Sequence, residues 1–289
     1  MSQAAEQIIH LPLSELHSFP DHPFKIQDDE QMQRTTESIK QQGVLVPGIV
    51  RPRAEGEYEI IAGHRRKYAC ELAGMDTMPV VVRNLDDDAA VLVMVDTNLQ
   101  REHILPSERA FAYKMKLEAL KRQGKSIDPT SSQVGMKLQT LDLIGENAGD
   151  SRNQVHRFIR LTHLIPPLLQ MVDEKKIKFN PAVELSYLTH DEQEQIISSL
   201  EQAQTSPSLS QAQRLKKFSQ EGKLNREAMD DIFAEVKKPP LDQSFLHNPK
   251  IRKYFPKSYS DEKVAEVILR LIESWHKQQL KKRQQQQGR

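Results

Sequence analysis

The run Ile60-Ile61-Ala62-Gly63-His64-Arg65-Arg66-Lys67 places four ionisable side chains directly after an apolar stretch and a glycine. Residues 60–62 read as the end of a short buried strand. Ala69, Leu72 and Ala73 then recur at helical spacing, and Gly74 is a stop signal. The basic run therefore opens a helix, where the first backbone N–H groups lack partners and the helix dipole is positive, so phosphate is held well. Arg65 and Arg66 add planar forks that stay charged at neutral pH and match phosphate oxygens two at a time. The chemistry indicated is phosphate or nucleotide binding. A solvated basic helix face is the alternative these residues alone leave open.

A second constellation lies in the helical part of the chain. Residues 141–148, the turn Gly149-Asp150 and residues 151–162 have the lengths and turn chemistry of a helix-turn-helix. Ser151 is expected to cap the second helix, and Val155, Phe158, Ile159 and Thr162 to face its partner. The other face then carries Arg152, Asn153, Gln154, His156, Arg157 and Arg160, with no acid among them. Amides pair two-fold with adenine, guanidinium groups with guanine, and the remaining cations with phosphates, so this face suits a DNA major groove. An ordinary polar helix surface is the competing reading.

These residues need elements to hold them. The composition, 37% hydrophobic and 28% charged with 11 glycines in 289 residues, is that of a helix-rich protein with real cores and two or three domains. The net charge of +1 says nothing about partners. A single cysteine excludes an internal disulfide framework and a cysteine-based zinc cluster, and suits a reducing cytoplasm. No secretory signal and no apolar run near 18 residues are visible, so no membrane association is expected. Up to about residue 84 the text alternates between short β-branched runs (IIHLP, VLVPGIVRP, EYEIIA, MPVVVR) and a helix over residues 28–43 with acids in its first turn. VLVMV fits a strand or a helix. The step Leu92, Val95, Leu99 and the cap offered by residues 86–88 decide for a helix. From Pro106 onward every element is predicted helical, with residues 125–137 as a loop, residues 237–250 as a linker and one last helix ending in a polar tail.

Three motifs, QQGVLVPGIVRP, GHRRKYACELAG and TNLQREHILPSERA, occur in this order before the helix-turn-helix. Together they resemble the ParB family of chromosome and plasmid partition proteins, over residues 8–200. The resemblance implies an α+β fold: a ParB/sulfiredoxin-like nucleotide-binding domain over residues 1–105, a helical DNA-binding domain over 106–236, and a linker with a C-terminal helix over 237–289. It further implies a CTP pocket. There Gly63, His64, Arg65 and Arg66 cradle the triphosphate, Asn98 helps hold Mg2+, and Arg101 braces the pocket or the dimer gate. Gly43, Val44 and Pro47 would line the base and sugar side. In such proteins CTP closes a homodimer into a clamp on double-stranded DNA at a palindromic centromere-like site. A ParA-type ATPase is the implied partner and the nucleoid in the cytoplasm the implied location.

Two positions depart from the family pattern. Gly-Glu-Arg-Arg becomes Gly63-His64-Arg65-Arg66, and Glu-Asn becomes Thr97-Asn98. Both missing carboxylates belong to the metal and the hydrolytic water, so CTP is expected to be bound and hydrolysed slowly or not at all. Asp96 is a poor substitute, because one helical step turns a side chain by about 100°. Sulfiredoxin chemistry is not expected, since Gly63 stands before His64-Arg65 and Cys70 lies downstream. A nuclease lacks a paired-carboxylate cluster in the sequence. A regulator or nucleoid-occlusion factor built on the same clamp is left open. Val264, Val267, Ile268, Leu271, Ile272 and Trp275 form an apolar stripe on the last helix, fitting either docking on its own chain or self-association. The Lys281-Lys282-Arg283 cluster beyond it is a frayed end or a non-specific DNA contact.

Overall fold

A computed structural model describes residues 7–101, 103–124, 133–146, 148–203, 206–234, 248–256 and 258–287. Its contacts divide the chain into one unit over residues 1–234 and a second over 235–289.

The first unit begins with strands β1 (Ile8–Pro12) and β2 (Leu16–Ser18), then helix α1 (Glu30–Gln42). A hairpin of β3 (Gly48–Pro52) and β4 (Tyr58–Ala62) leads into α2 (His64–Ala73) and β5 (Thr77–Val82). The five strands form one mixed sheet in the order β1-β5-β3-β4-β2. β3 and β4 are antiparallel, with a register shift between Ile49 and Val50, while β3 and β5 are parallel. Successive side chains of a strand leave on opposite faces. Ile60 accordingly joins a core with Met32, Ile39, Cys70 and Val80 under α1 and α2, and Ile61 joins the core shared with the helices. Burial on both faces is why residues 60–62 of β4 read as an unbroken apolar run rather than an alternating one.

VLVMV is helical, as expected: α3 (Asp87–Leu99) starts at Asp86, whose side chain accepts from Ala89 N at 2.7 Å. Its buried face, Met94, Val95 and Leu99, belongs to the same core as Tyr113 and Leu117 of α4 (Pro106–Gly124). α3 thus carries the sheet's second face into the helical half. Then come α5 (Gln133–Glu146), α6 (Arg152–Leu161), α7 (Pro166–Asp173), α8 (Phe179–Leu185), α9 (His190–Ala203), α10 (Leu209–Gln220) and α11 (Arg226–Ala234).

The α+β reading holds, with local differences. α5 begins at Gln133, inside the stretch read as a loop, whose residues 125–132 lie outside the described part. Residues 166–180, read as one helical segment, are broken between α7 and α8 by Lys175 at φ 60°. β2 was not expected, and α11 was expected only as part of the helical region beyond Pro106, not delimited: three residues hold too little periodicity, and the charges of α11 obscure its buried stripe of Met229, Ile232 and Phe233.

In the second unit, residues 237–247 of the expected linker lie outside the described part. A short helix (Pro249–Arg252) is followed by the long one (Asp261–Gln287). Val264 and Ala265 are buried with Phe255, Tyr259 and Ile268 packed on them, whereas Leu271, Ile272 and Trp275 are exposed. The apolar stripe therefore docks on its own chain only at its beginning. The side chains of Lys281, Lys282 and Arg283 lie outside the described part.

Candidate functional site

Gly63 forms the corner between β4 and α2, at φ 116°. A side chain there is excluded twice, by the positive φ and because a Cβ would stand 3.2 Å from the Cα of Gly48 on β3. This close approach brings the first turn of α2 against the loop that follows α1. The next three side chains then go three ways, as about 100° per residue requires.

His64 turns inward and is 5% exposed, its ring 4.0 Å from that of His22. Its Nε2 accepts from Phe19 N at 3.4 Å. Burial, reinforced by His22, Arg101 and Lys67, pushes its pKa down to about 3, so the ring is neutral. Arg65 reaches Asp29, the cap of α1, at 3.1 Å. Arg66 donates from Nη1 to the carbonyls of Val46 and of Pro47, the latter at 2.6 Å. The guanidinium pair that reads as one cradle in sequence is therefore divided between α1 and the loop.

Arg65 shares a cleft of about 630 Å³ with Arg101. The Arg101 guanidinium lies 5.5 Å from the centre of the Phe24 ring, and burial lowers its pKa. Each carboxylate lining this cleft is engaged. Asp29 accepts from Met32 N and Arg65, which holds its pKa down. Glu108 accepts from Lys25 N at 2.7 Å and Leu105 N at 3.0 Å. Asp173 accepts from Ser107 N at 2.9 Å and Oγ at 2.5 Å. Glu108 thus commits both oxygens to backbone donors rather than to Arg101.

Asn98 is 3% exposed and donates from Nδ2 to Met94 O at 2.7 Å. Thr97 gives its hydroxyl to Val93 O at 2.8 Å. Asp96 pairs with the buried Lys116, so it is not free to replace a missing carboxylate. Gly43, at φ 71°, caps the far end of α1, roughly 20 Å from Asp29 by 1.5 Å per residue. Gly43, Val44 and Pro47 consequently do not line the Arg65–Arg101 cleft; Pro47 meets the site through Arg66. Cys70 is buried and its thiol is pushed up by desolvation, which leaves no reactive thiolate. Among the described residues no three His, Cys, Asp or Glu side chains are grouped to hold a metal ion, and no helix is long and apolar enough to cross a membrane.

The helix-turn-helix is built as the turn residues require. Ser151 caps α6 by accepting from Gln154 N at 3.3 Å, and Gly149 adopts φ 70°. Val155, Phe158 and Leu161 are buried, with Ile159 and Thr162 half-buried. Asp150 fastens the turn to α4, accepting from Tyr113 Oη at 2.5 Å and Arg109 Nη1 at 3.1 Å. Ser151, Arg152, Asn153 and His156 are exposed, and Gln154 is half-buried. Arg152 lies 3.5 Å from Asp142 of α5. Arg157 and Arg160 turn towards α8. Arg157 donates to Asn180 Oδ1 at 2.6 Å over the Phe179 ring, and Arg160 to Ser186 O at 2.6 Å over the Tyr187 ring. Asn180, Phe179 and the Asp150–Tyr113 tie were missed from sequence, since such partners are distant along the chain.

Residues 1–99 match the ParB N-terminal domain. The chain therefore carries a ParB N-terminal domain. Its ParB N-terminal domain covers β1 to α3, and with it Gly63, Arg65, Arg66 and Asn98. It is 31% identical over 186 residues to a nucleoid occlusion protein of Halalkalibacterium halodurans, covering 64% of this chain and 59% of that protein. It is 31% identical over 190 residues to a probable chromosome-partitioning protein ParB of Pseudomonas putida, covering 66% and 60%. With stage 0 sporulation protein J of Bacillus subtilis it shares 34% over 169 residues, covering 58% and 54%. The chain thus spans between 54% and 60% of these relatives' lengths. Similar solved structures include truncated ParB from Caulobacter crescentus complexed to the centromeric parS site, at 23% identity and TM-score 0.44, covering 79% of this chain and 100% of that one. The same protein complexed with CTP-gamma-S matches at 29% identity and TM-score 0.31, covering 62% and 92%.

Proposed function

We propose that this chain is a site-specific DNA-binding partition protein that binds CTP and closes as a homodimeric clamp on a palindromic centromere-like site. The carrying observation is that Arg65 and Arg101, far apart in sequence, line one cleft beside the first turn of α2. That cleft belongs to the same folded unit as the helix-turn-helix. In this reading residues 1–105 hold the nucleotide, 106–236 read DNA and 237–289 contribute to self-association, with Leu271, Ile272 and Trp275 as the uncovered part of the stripe. The triphosphate lies against the N–H groups of the first turn of α2, with Arg65 and Arg101 on the cleft side and Arg66 on the loop side.

Asn98 is buried and is not part of the Arg65–Arg101 lining, so Mg2+ would meet it only by a restricted approach. The amide nitrogen is taken by Met94 O, so Oδ1 is the ligand atom that remains, and phosphate oxygens and waters would complete the shell. The ion would neutralise phosphate charge. Of the described residues at and beside the two altered motif positions, none is a free general base: His64 is buried against His22, Thr97 is bonded to its own helix and Asp96 is paired with Lys116. Slow or absent hydrolysis belongs to the same proposal, as does a ParA-type ATPase partner on the nucleoid.

Binding measured across CTP, ATP, GTP and UTP, with and without random DNA, tests this reading; equal affinity for all four, or none, overturns it. A nucleoid-occlusion role is the second reading, favoured by the 31% identical Halalkalibacterium relative. DNA-pulldown sequencing separates them: sites clustered around one locus favour partition, and dispersed sites favour occlusion.

A further inference from the structure

The lining of the Arg65–Arg101 cleft extends well beyond the ParB N-terminal domain. Lys175, in the turn between α7 and α8, lines it, 110 residues beyond Arg65 in sequence. Lys25 and His103 add further basic side chains to the same lining. The acids of the cleft, Asp29, Glu108 and Asp173, already accept from Met32 N and Arg65, from Lys25 N and Leu105 N, and from Ser107. Lys25, Arg65, Arg101 and Lys175 still outnumber these three carboxylates in the lining, and the excess of positive charge favours an added anion.

The backbone at Lys175 points the same way. It sits just past the C-cap of α7 at φ 60°, donating its N–H to Val172 O at 3.0 Å. This is a position where glycine is the unstrained choice, and a lysine there carries backbone strain that glycine would avoid. Its neighbours are otherwise engaged: Glu174 and Lys176 pair with each other at 2.6 Å, and Asp173 holds Ser107.

We infer that Lys175 is a phosphate-binding residue contributed by the helical half of the molecule, gripping the same polyphosphate as Arg65 and Arg101. This rests on the nucleotide reading above and adds to it a further cationic residue of the site. It also gives the anion a direct contact with the turn leading into α8, the helix whose Asn180 accepts from Arg157 of the DNA-reading helix.

The test is calorimetric titration of the full chain with CTP and, separately, with inorganic triphosphate. The variants are Lys175→Ala, Lys175→Glu, Lys175→Arg and, from the same turn, Lys176→Ala. Lys175→Ala is expected to weaken both ligands about tenfold, as for loss of a charge-assisted hydrogen bond. Lys175→Glu weakens them further, Lys175→Arg restores binding, and Lys176→Ala leaves it within about twofold. Unchanged affinity in Lys175→Ala and Lys175→Glu, with binding lost in Arg101→Ala, overturns the inference and leaves the nucleotide reading standing. Triphosphate binding that depends on Lys175 without any binding of CTP overturns the nucleotide reading and supports the polyanion site. Binding of neither ligand to the unaltered chain overturns both.

Discussion

His64, buried, and His22, half-buried, bring their rings to 4.0 Å between centroids at a 46° tilt, at the point where the basic run enters the fold. His22 donates from Nδ1–H to Phe24 O at 2.8 Å, and its Nε2 is buried with no hydrogen-bond partner. Desolvation is the leading cause that lowers both pKa values. Each ring is therefore neutral in the fold and would gain a proton more readily when unfolded. Stability from this pair is full above the unfolded pKa near 6.5 and is lost as pH falls towards the folded value, about 3 for His64. Between pH 7.5 and 5, His64 alone is expected to cost about 2 kcal/mol, at 1.36 kcal/mol per pKa unit. Urea unfolding across that range should show the loss in the wild type and a flatter profile in His64→Gln.

Gly145 occupies a space that no side chain can enter. A Cβ there would stand 2.1 Å from Asp150 O, in the turn that Tyr113 and Arg109 fasten to α4. Gly145→Ala gains about 1 kcal/mol of helix propensity. The clash is with backbone and cannot be relieved by a rotamer change, so a net loss of about 3 kcal/mol is expected. Chemical denaturation checks the magnitude, and binding to the cognate DNA site should fall with it.

The division of the arginine pair separates two effects that the sequence merges. Arg65→Ala is expected to weaken CTP binding at least tenfold, by loss of a charge-assisted contact worth about 1.5–3 kcal/mol. Arg66 must first give up the carbonyls of Val46 and Pro47 to meet phosphate. Arg66→Ala should therefore weaken CTP less, while raising amide hydrogen exchange in residues 44–48. Equal losses of affinity with unchanged exchange would contradict this division.

Thr97 is exposed on α3, so Glu is accommodated there without repacking. Thr97→Glu is expected to raise steady-state phosphate release from CTP in the presence of cognate DNA above the low wild-type rate. Wild-type turnover that the substitution does not raise would remove the slow-hydrolysis proposal.

On α6, Asn153 is exposed, whereas Arg157 is held by Asn180 and the Phe179 ring. Asn153→Ala is expected to lower the preference for cognate over random DNA by about 1–3 kcal/mol, the worth of a base-edge contact. Arg157→Ala should do the same, and Asn180→Ala should reproduce part of its effect by freeing the guanidinium. Fluorescence anisotropy on both DNAs is the measurement; equal loss on the two would identify phosphate contacts instead.

Local periodicity and punctuation were enough to place β3, β4, α2 and α6, because strand alternation, helix spacing and the Gly63, Gly74 and Ser151 signals act within a few residues. The helix over VLVMV was legible from its Asp86 cap and step of three and four residues. What the chain could not show locally was direction. That His64 turns in to His22, that Arg65 and Arg66 part company, and that Lys175 joins Arg101 in lining one cleft all depend on how α2, α3 and α7 pack. Such packing is set by contacts between residues tens to a hundred positions apart. The residue types for holding a phosphate and reading a groove were thus written in the sequence, and only the tertiary structure decided which of them share one space.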